Sequence, residues 1–373
     1  MWLVKPVAIL FNVKDTLETD GMGSGDGIYY YLQIPAMLLV TLIISTAWNV
    51  VDRKRQSYNQ AFYIVWVIVR FMLAFYMISY GVAKIYESQF PAPNLHRLVQ
   101  PYGMSSPMGL AWTFMGASRG FSMFTGWAEA LAGLFLLFRQ TARLGALQSI
   151  VVMSVIVAMN FCYDIPVKIF STHLLLAAVF VIAPEIPRLL MFLFTGKAIP
   201  ASGLYMFPLS SKWVLISWAV VKPLIIILIG IMVFNMERYA GNVRADNKHV
   251  PLYGLYTAEW VVSNNDTIPA QLTDSTRWHY LLMQYKGRAT VRYMNETFEY
   301  FEIKVDTAKH TIGMTGEDDK EKMYRYITNN DVLVLERNLE FDSTRIILRR
   351  YDMKKFLLTN RGFRWVNEVP FNR

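Results

Sequence analysis

The sequence predicts a membrane all-α helical bundle of about six spans followed by a small antiparallel β-barrel. Two observations carry this. Up to about Val233 the chain is a series of long apolar runs, and from about Glu237 it turns charged and alternating. The 373-residue chain is 54% hydrophobic, so its mean hydropathy of +0.27 averages two unlike halves.

Runs long enough to cross a bilayer cover Ile28 to Val51, Ala61 to Tyr86, Phe121 to Phe138, Leu144 to Cys162, Val167 to Ala183 and Trp213 to Phe234. The first residues, Met1 to Val13, are apolar but too short to span and lack a signal-peptide pattern, so an interfacial segment over 1–27 is expected. The first span and its loop occupy 28–60, a four-helix core 61–187, and a connection with the last span 188–236. Asp52-Arg-Lys-Arg55, Arg139 to Arg143 and the Arg188 to Lys212 connection alternate along the chain and are rich in Lys and Arg. By the positive-inside rule all three face the cytoplasm. Both termini, the Glu87 to Gly120 connection and the domain 237–373 are then expected on the opposite, extracytoplasmic side. The 87–120 connection is too apolar for a free loop and too interrupted for a helix, and is expected to cap the bundle.

The net charge of +9 does not by itself imply nucleic acid, because many of the membrane-half Lys and Arg residues sit in such loops, and no nucleic-acid motif is present. A lone cysteine, Cys162, excludes an intrachain disulfide and dithiol chemistry. Neither a flavin, nucleotide nor haem motif is found, and His96 and His173 lack the ligand spacing of a metal site. Any redox role must be borrowed from a partner or bound cofactor.

Polar residues inside apolar runs mark the candidate site, because a charge at bilayer depth costs a few kcal/mol, about 3 on the lenient scale. Arg70 in the second span and Glu129 in the third fall at depths that let them meet. Two kinds of assignment fit them: an ion pair fixing helix register, or a functional role as a proton relay or a ligand-head contact. Lys84, Asp164, Lys168 and His173 fall at the extracytoplasmic ends of their spans. Asp164 and Lys168, four apart, are explained by local pairing. With Lys84 and His173 they equally suit a head-group pocket walled by Trp112, Phe114 and Tyr163. Small residues, Gly126, Gly133 and Gly145 among them, permit close helix contact.

The stretches Gly126 to Gly133, Leu144 to Leu147, Asn160 to Lys168 and His173 to Leu176 resemble the DoxX family of small bacterial membrane proteins. Ser79 to Lys84, Gln100 to Gly103 and Trp112 to Gly116 are similar to long DoxX-like proteins of Bacteroidota that carry a C-terminal extension. The resemblance covers roughly Ala61 to Pro187. It implies a quinone- or isoprenoid-binding subunit of a membrane redox system, with quinone as ligand at Lys84, Glu129, Asp164, Lys168 and His173.

Beyond Glu237, eight or nine short alternating segments from Tyr256 to Leu358 are joined by turns such as Asn329-Asn330-Asp331 and Lys286-Gly287. Connections this short force an up-and-down meander, and about eight strands close one small barrel. Tyr253 to Tyr256 and Arg361 to Trp365 loosely resemble the ends of lipocalin-type barrels. The second functional reading follows: a non-enzymatic envelope protein whose barrel binds a lipid or protein partner while its helices anchor it in the bilayer.

Overall fold

The computed structural model describes residues 3–13, 25–195, 212–246, 250–264, 266–339, 342–362, 364–369 and 371. The chain divides into two compact units, one of 1–90 with 106–237 and one of 91–105 with 238–373.

The first unit is a multi-pass membrane bundle. Its helices are α1 (Val4–Leu10), α2 (Ile28–Val51), α3 (Asn59–Ile85), α5 (Pro107–Ala117), α6 (Arg119–Leu137), α7 (Ala142–Cys162), α8 (Lys168–Ile182) and α9 (Ile186–Thr195); α10 (Lys212–Asp246) runs out of it. Among the described residues, five segments are long and apolar enough to span: α2, α3, α6, α7 and Lys168–Thr195. The sixth expected span, Trp213 to Phe234, lies within α10; among the described residues its apolar stretch covers Pro223–Met236. Residues 196–211, which hold most of the third basic loop, and the Lys222 side chain lie outside the described residues.

Helices α3, α6, α7 and α8 close a four-helix ring, the core expected from the second to fifth spans. Leu73, Ala74, Ala132, Leu136, Ala146 and Ala178 are fully buried at its centre. Polar groups stitch the ring where side chains reach a neighbour's backbone: the Trp66 indole N–H donates to the Val181 carbonyl (2.9 Å) and Gln148 Nε2 to that of Ala128 (2.8 Å). Helix α10 leans on it through Ile229, and Ser79 Oγ meets Met232 Sδ at 3.1 Å. Outside the ring, α2 presents most of its surface outward and packs α1 against Leu32 and Ala36.

The connection 87–120 is not one cap. Residues 91–105, with α4 (Leu95–Val99), belong to the second unit, whereas α5 belongs to the bundle. A helix does form here, because Ser106 caps the Gly109 N–H and Pro107 occupies the first turn, where its missing donor costs nothing.

The second unit is an antiparallel barrel. Strands β1 (Gly254–Ser263), β3 (Trp278–Tyr285), β4 (Arg288–Tyr293), β5 (Phe298–Asp306), β6 (Thr311–Thr315), β7 (Glu321–Asn329), β8 (Val332–Leu339) and β9 (Asp342–Arg350) pair in order, and β9 returns to β1. The two-residue β2 (Asp266–Thr267) extends the end of β1. Alternate residues point inward, so Leu281, Met283, Val291, Ile312, Met314, Leu333, Leu335, Ile346 and Leu348 are buried. These side chains fill the interior, as an eight-strand circumference allows. Phe356 to Leu358, expected as a strand, instead follows a short 3₁₀ segment (Met353–Lys355) and opens α11 (Leu357–Asn360). With β9 already bonded to β1, no edge remains for another strand, and Asp352 caps the Lys354 N–H.

Candidate functional site

The site is set by how α3 crosses α6. Gly81 and Gly126 meet at the crossing, where a Cβ on either would lie 2.6 Å from the other's carbonyl oxygen. Three residues further along each helix stand Lys84 and Glu129. Both are buried, 5% and 2% exposed, and they form a direct hydrogen-bonded ion pair. Removal from water of either charge alone would be prohibitive, so each supplies the condition for the other's burial.

This pair corrects the expectation that Arg70 meets Glu129. Arg70 lies four turns before Lys84 on α3, and Glu129 is already committed to Lys84. The Arg70 guanidinium instead stacks over Trp66 and Phe71, 5.0 and 4.7 Å from their ring centres, and its buried Nε has no hydrogen-bond acceptor.

Lys84 and Glu129 form part of the wall of a cavity of about 330 Å³ inside the four-helix ring. Other polar walls are Tyr80, Gln89, Asn160 and Ser171. Asn160 Nδ2 donates to Ser171 Oγ (2.9 Å) across the α7–α8 turn. Gln89 Oε1 is buried and accepts no hydrogen bond, an acceptor that needs a donor from elsewhere. The apolar wall is aromatic and thioether: Phe90 packs edge-on against Trp112 at 5.2 Å, with Met77, Met153 and Met159 opposite. Lys84 Nζ lies 5.9 Å above the Phe90 ring.

Of the residues expected to converge, the cavity gathers Lys84, Glu129 and Trp112. Asp164 and Lys168 do not join them. They pair with each other (2.7 Å), and Asp164 is largely exposed. Asp164 adopts a left-handed backbone (φ 51°) that ends α7, letting the Ile165 N–H reach the Asn160 carbonyl. The bond from Lys168 holds the Asp164 carboxyl below its usual range. His173 faces a second, more open groove of about 530 Å³ between α2 and α8, and its Nδ1 lies 2.7 Å from the Ile169 carbonyl. Tyr163 and Phe114 are exposed and are not walls of the cavity. Gln89, Phe90, Asn160, Ser171 and the methionines were not singled out from sequence. A stripe at helical spacing, Met77, Tyr80 and Lys84 on α3 with Met153, Ile156 and Asn160 on α7, is the signal that would have found Met77, Met153 and Asn160; Gln89, Phe90 and Ser171 lie outside it.

These geometric features belong to a sequence with a recognisable relative. Uncharacterized protein YwoB of Bacillus subtilis (strain 168) is 36% identical over 108 residues, 28% of this chain and 67% of YwoB. The chain belongs to the YwoB family. No family model matches it, and no solved structure matches it. The match to YwoB is far shorter than this chain, and the name of YwoB assigns neither ligand nor reaction.

Proposed function

We propose that the helical unit binds the ring head of a quinone or related isoprenoid in the cavity beside Lys84 and Glu129, and that the protein is a DoxX-like subunit of a membrane redox system. The observation that carries this is a buried ion pair exposed to an aromatic-walled cavity that also holds the unpartnered Gln89 Oε1. Lys84 offers N–H donors to a carbonyl, and Gln89 accepts from a hydroxyl. Thus oxidised and reduced heads each find a complementary group. Without a redox centre of its own, the chain would position and protonate such a head while a partner protein exchanges electrons.

Mass spectrometry of lipids retained by the detergent-purified protein tests this. A stoichiometric quinone that is lost on Lys84→Ala, with the protein still folded, is the expected outcome. Phospholipid alone, together with a co-purifying envelope protein, would instead favour an anchored organiser.

The orientation belongs to the same proposal. Arg53, Lys54 and Arg55 between α2 and α3, with Arg139 between α6 and α7 and Arg143 in the first turn of α7, favour a cytoplasmic face for those ends of the bundle in the bacterial inner membrane and a periplasmic barrel. Protease added to spheroplasts should remove the barrel. Its survival until the membrane is broken would reverse the orientation.

A further inference from the structure

The cavity has a side wall that is also the wall of something else. Phe170, in the first turn of α8, lines both the head-group cavity and the groove between α2 and α8. Its ring lies edge-on to Tyr76 at 5.0 Å and tilted to Tyr80 at 6.1 Å, and Phe170 is the residue that the linings of the two spaces share.

The groove is built by a tether. Asp26, just before α2, accepts hydrogen bonds from the Lys168 and Ile169 backbone N–H groups, 2.6 and 3.0 Å away, at the start of α8. This satisfies helix-terminal donors and pins the head of α2 to α8. Further along, Ile34, Met37 and Leu38 give the groove an aliphatic wall. A carbonyl can only accept, so His173 Nδ1 carries the hydrogen in its contact with the Ile169 oxygen.

Size then decides what each space can hold. A cavity of about 150 Å³ takes a benzene ring. One of about 330 Å³ takes a substituted ring and has no room for a long hydrocarbon chain. Any tail on a ligand seated at Lys84 must leave, and the wall shared with a larger apolar groove lies at Phe170. We propose that the α2–α8 groove is a tail subsite, holding the isoprenoid chain of the ligand whose head occupies the cavity, with Phe170 at the passage between them. This rests on the reading of the cavity as a head-group site.

The test compares two probes on the full-length protein in nanodiscs, tail-less menadione and a long-chain menaquinone. Met37→Trp and Thr41→Trp fill the groove from exposed positions on α2, so folding is not at risk. Displacing a few methylenes should weaken long-chain binding by about tenfold or more, with menadione binding unchanged. A photoreactive group placed on the tail should label α2 within Ile34 to Leu38 in the wild type and not in the filled variants. Equal binding of the long-chain probe by wild type and both variants, or labelling elsewhere, would overturn the tail subsite while leaving the head site standing. Failure of both probes to bind the wild type would remove the head site and the tail subsite together.

Discussion

Gly81 on α3 and Gly126 on α6 are in backbone contact, each standing where a Cβ would collide with the other's carbonyl oxygen. The crossing continues at Gly133 against Ala74 and Ile78, and Gly145 repeats the arrangement on α7 against Ala132 and Leu136. Close approach of this kind is how helices associate in lipid, where burial of apolar surface gives no advantage over the tails. It also delivers Lys84 and Glu129, one turn on, to within a hydrogen bond of each other.

Gly81→Ala or Gly126→Ala therefore strikes rigid backbone, which no side-chain rotation relieves. Each should lower stability by about 1–3 kcal/mol and lengthen the Lys84–Glu129 contact. Thermal unfolding in detergent reads the first effect and loss of retained ligand the second. Wild-type behaviour in both would mean that the crossing is not fixed by these glycines.

Lys84→Met leaves the Glu129 carboxylate uncompensated in the bundle and should cost about 3–5 kcal/mol. Adding Glu129→Leu removes the orphaned charge, and the double variant should recover most of that stability. Ligand retention should stay lost in both variants. A double variant that regains stability and still holds ligand would reduce the pair to a structural role.

Arg70 and Glu129 should behave independently. Arg70→Met keeps the packing volume and loses the stacking on Trp66 and Phe71, worth about 0.5–2 kcal/mol. In a double-mutant cycle with Glu129→Gln the two effects should add within about 0.5 kcal/mol. A larger coupling energy would restore a pairing that the geometry does not contain.

Helix content, the four-helix core and the closed barrel were legible because run length and strand alternation are local properties. Asp164 and Lys168 were legible as an i, i+4 pair for the same reason. The partner of Glu129 was not, since Arg70 and Lys84 both lie on α3 and only the register against α6 decides between them. That register is written in Gly81 and Gly126, each three residues before its charge. The fate of 91–105 was hidden more deeply: the Leu95 N–H donates to Gln284 Oε1, 189 residues away in sequence. Phe356 to Leu358 has a strand's composition, but the barrel had already closed at Arg350.

That same 91–105 segment supplies a pH dependence. Leu95 is buried with Leu255 and Leu282, while Arg292 donates to the Val99 carbonyl and pairs with Glu296. His96 stacks edge-on against Phe298, and the buried Nδ1 atoms of His96 and His279 make no hydrogen bond, though His279 Nδ1 lies 3.9 Å from Glu296 Oε1. Burial, with the charges of Arg292 and Arg97, holds His96 below its usual imidazole range. Burial holds His279 down as well; Glu296 opposes this, and Arg292 and Arg277 reinforce it. Because the folded state resists protonation, the unfolded chain binds more protons as pH falls below about 6.5, and stability must drop with it. Hydrogen exchange of 91–105 in the full-length protein, corrected for intrinsic rates, should therefore accelerate between about pH 7 and pH 5. Substituting His96→Leu together with His279→Phe removes both titrations and should flatten the response. An unchanged rate in the wild type, or a slope that survives in the double variant, would show that these imidazoles do not hold the segment in place.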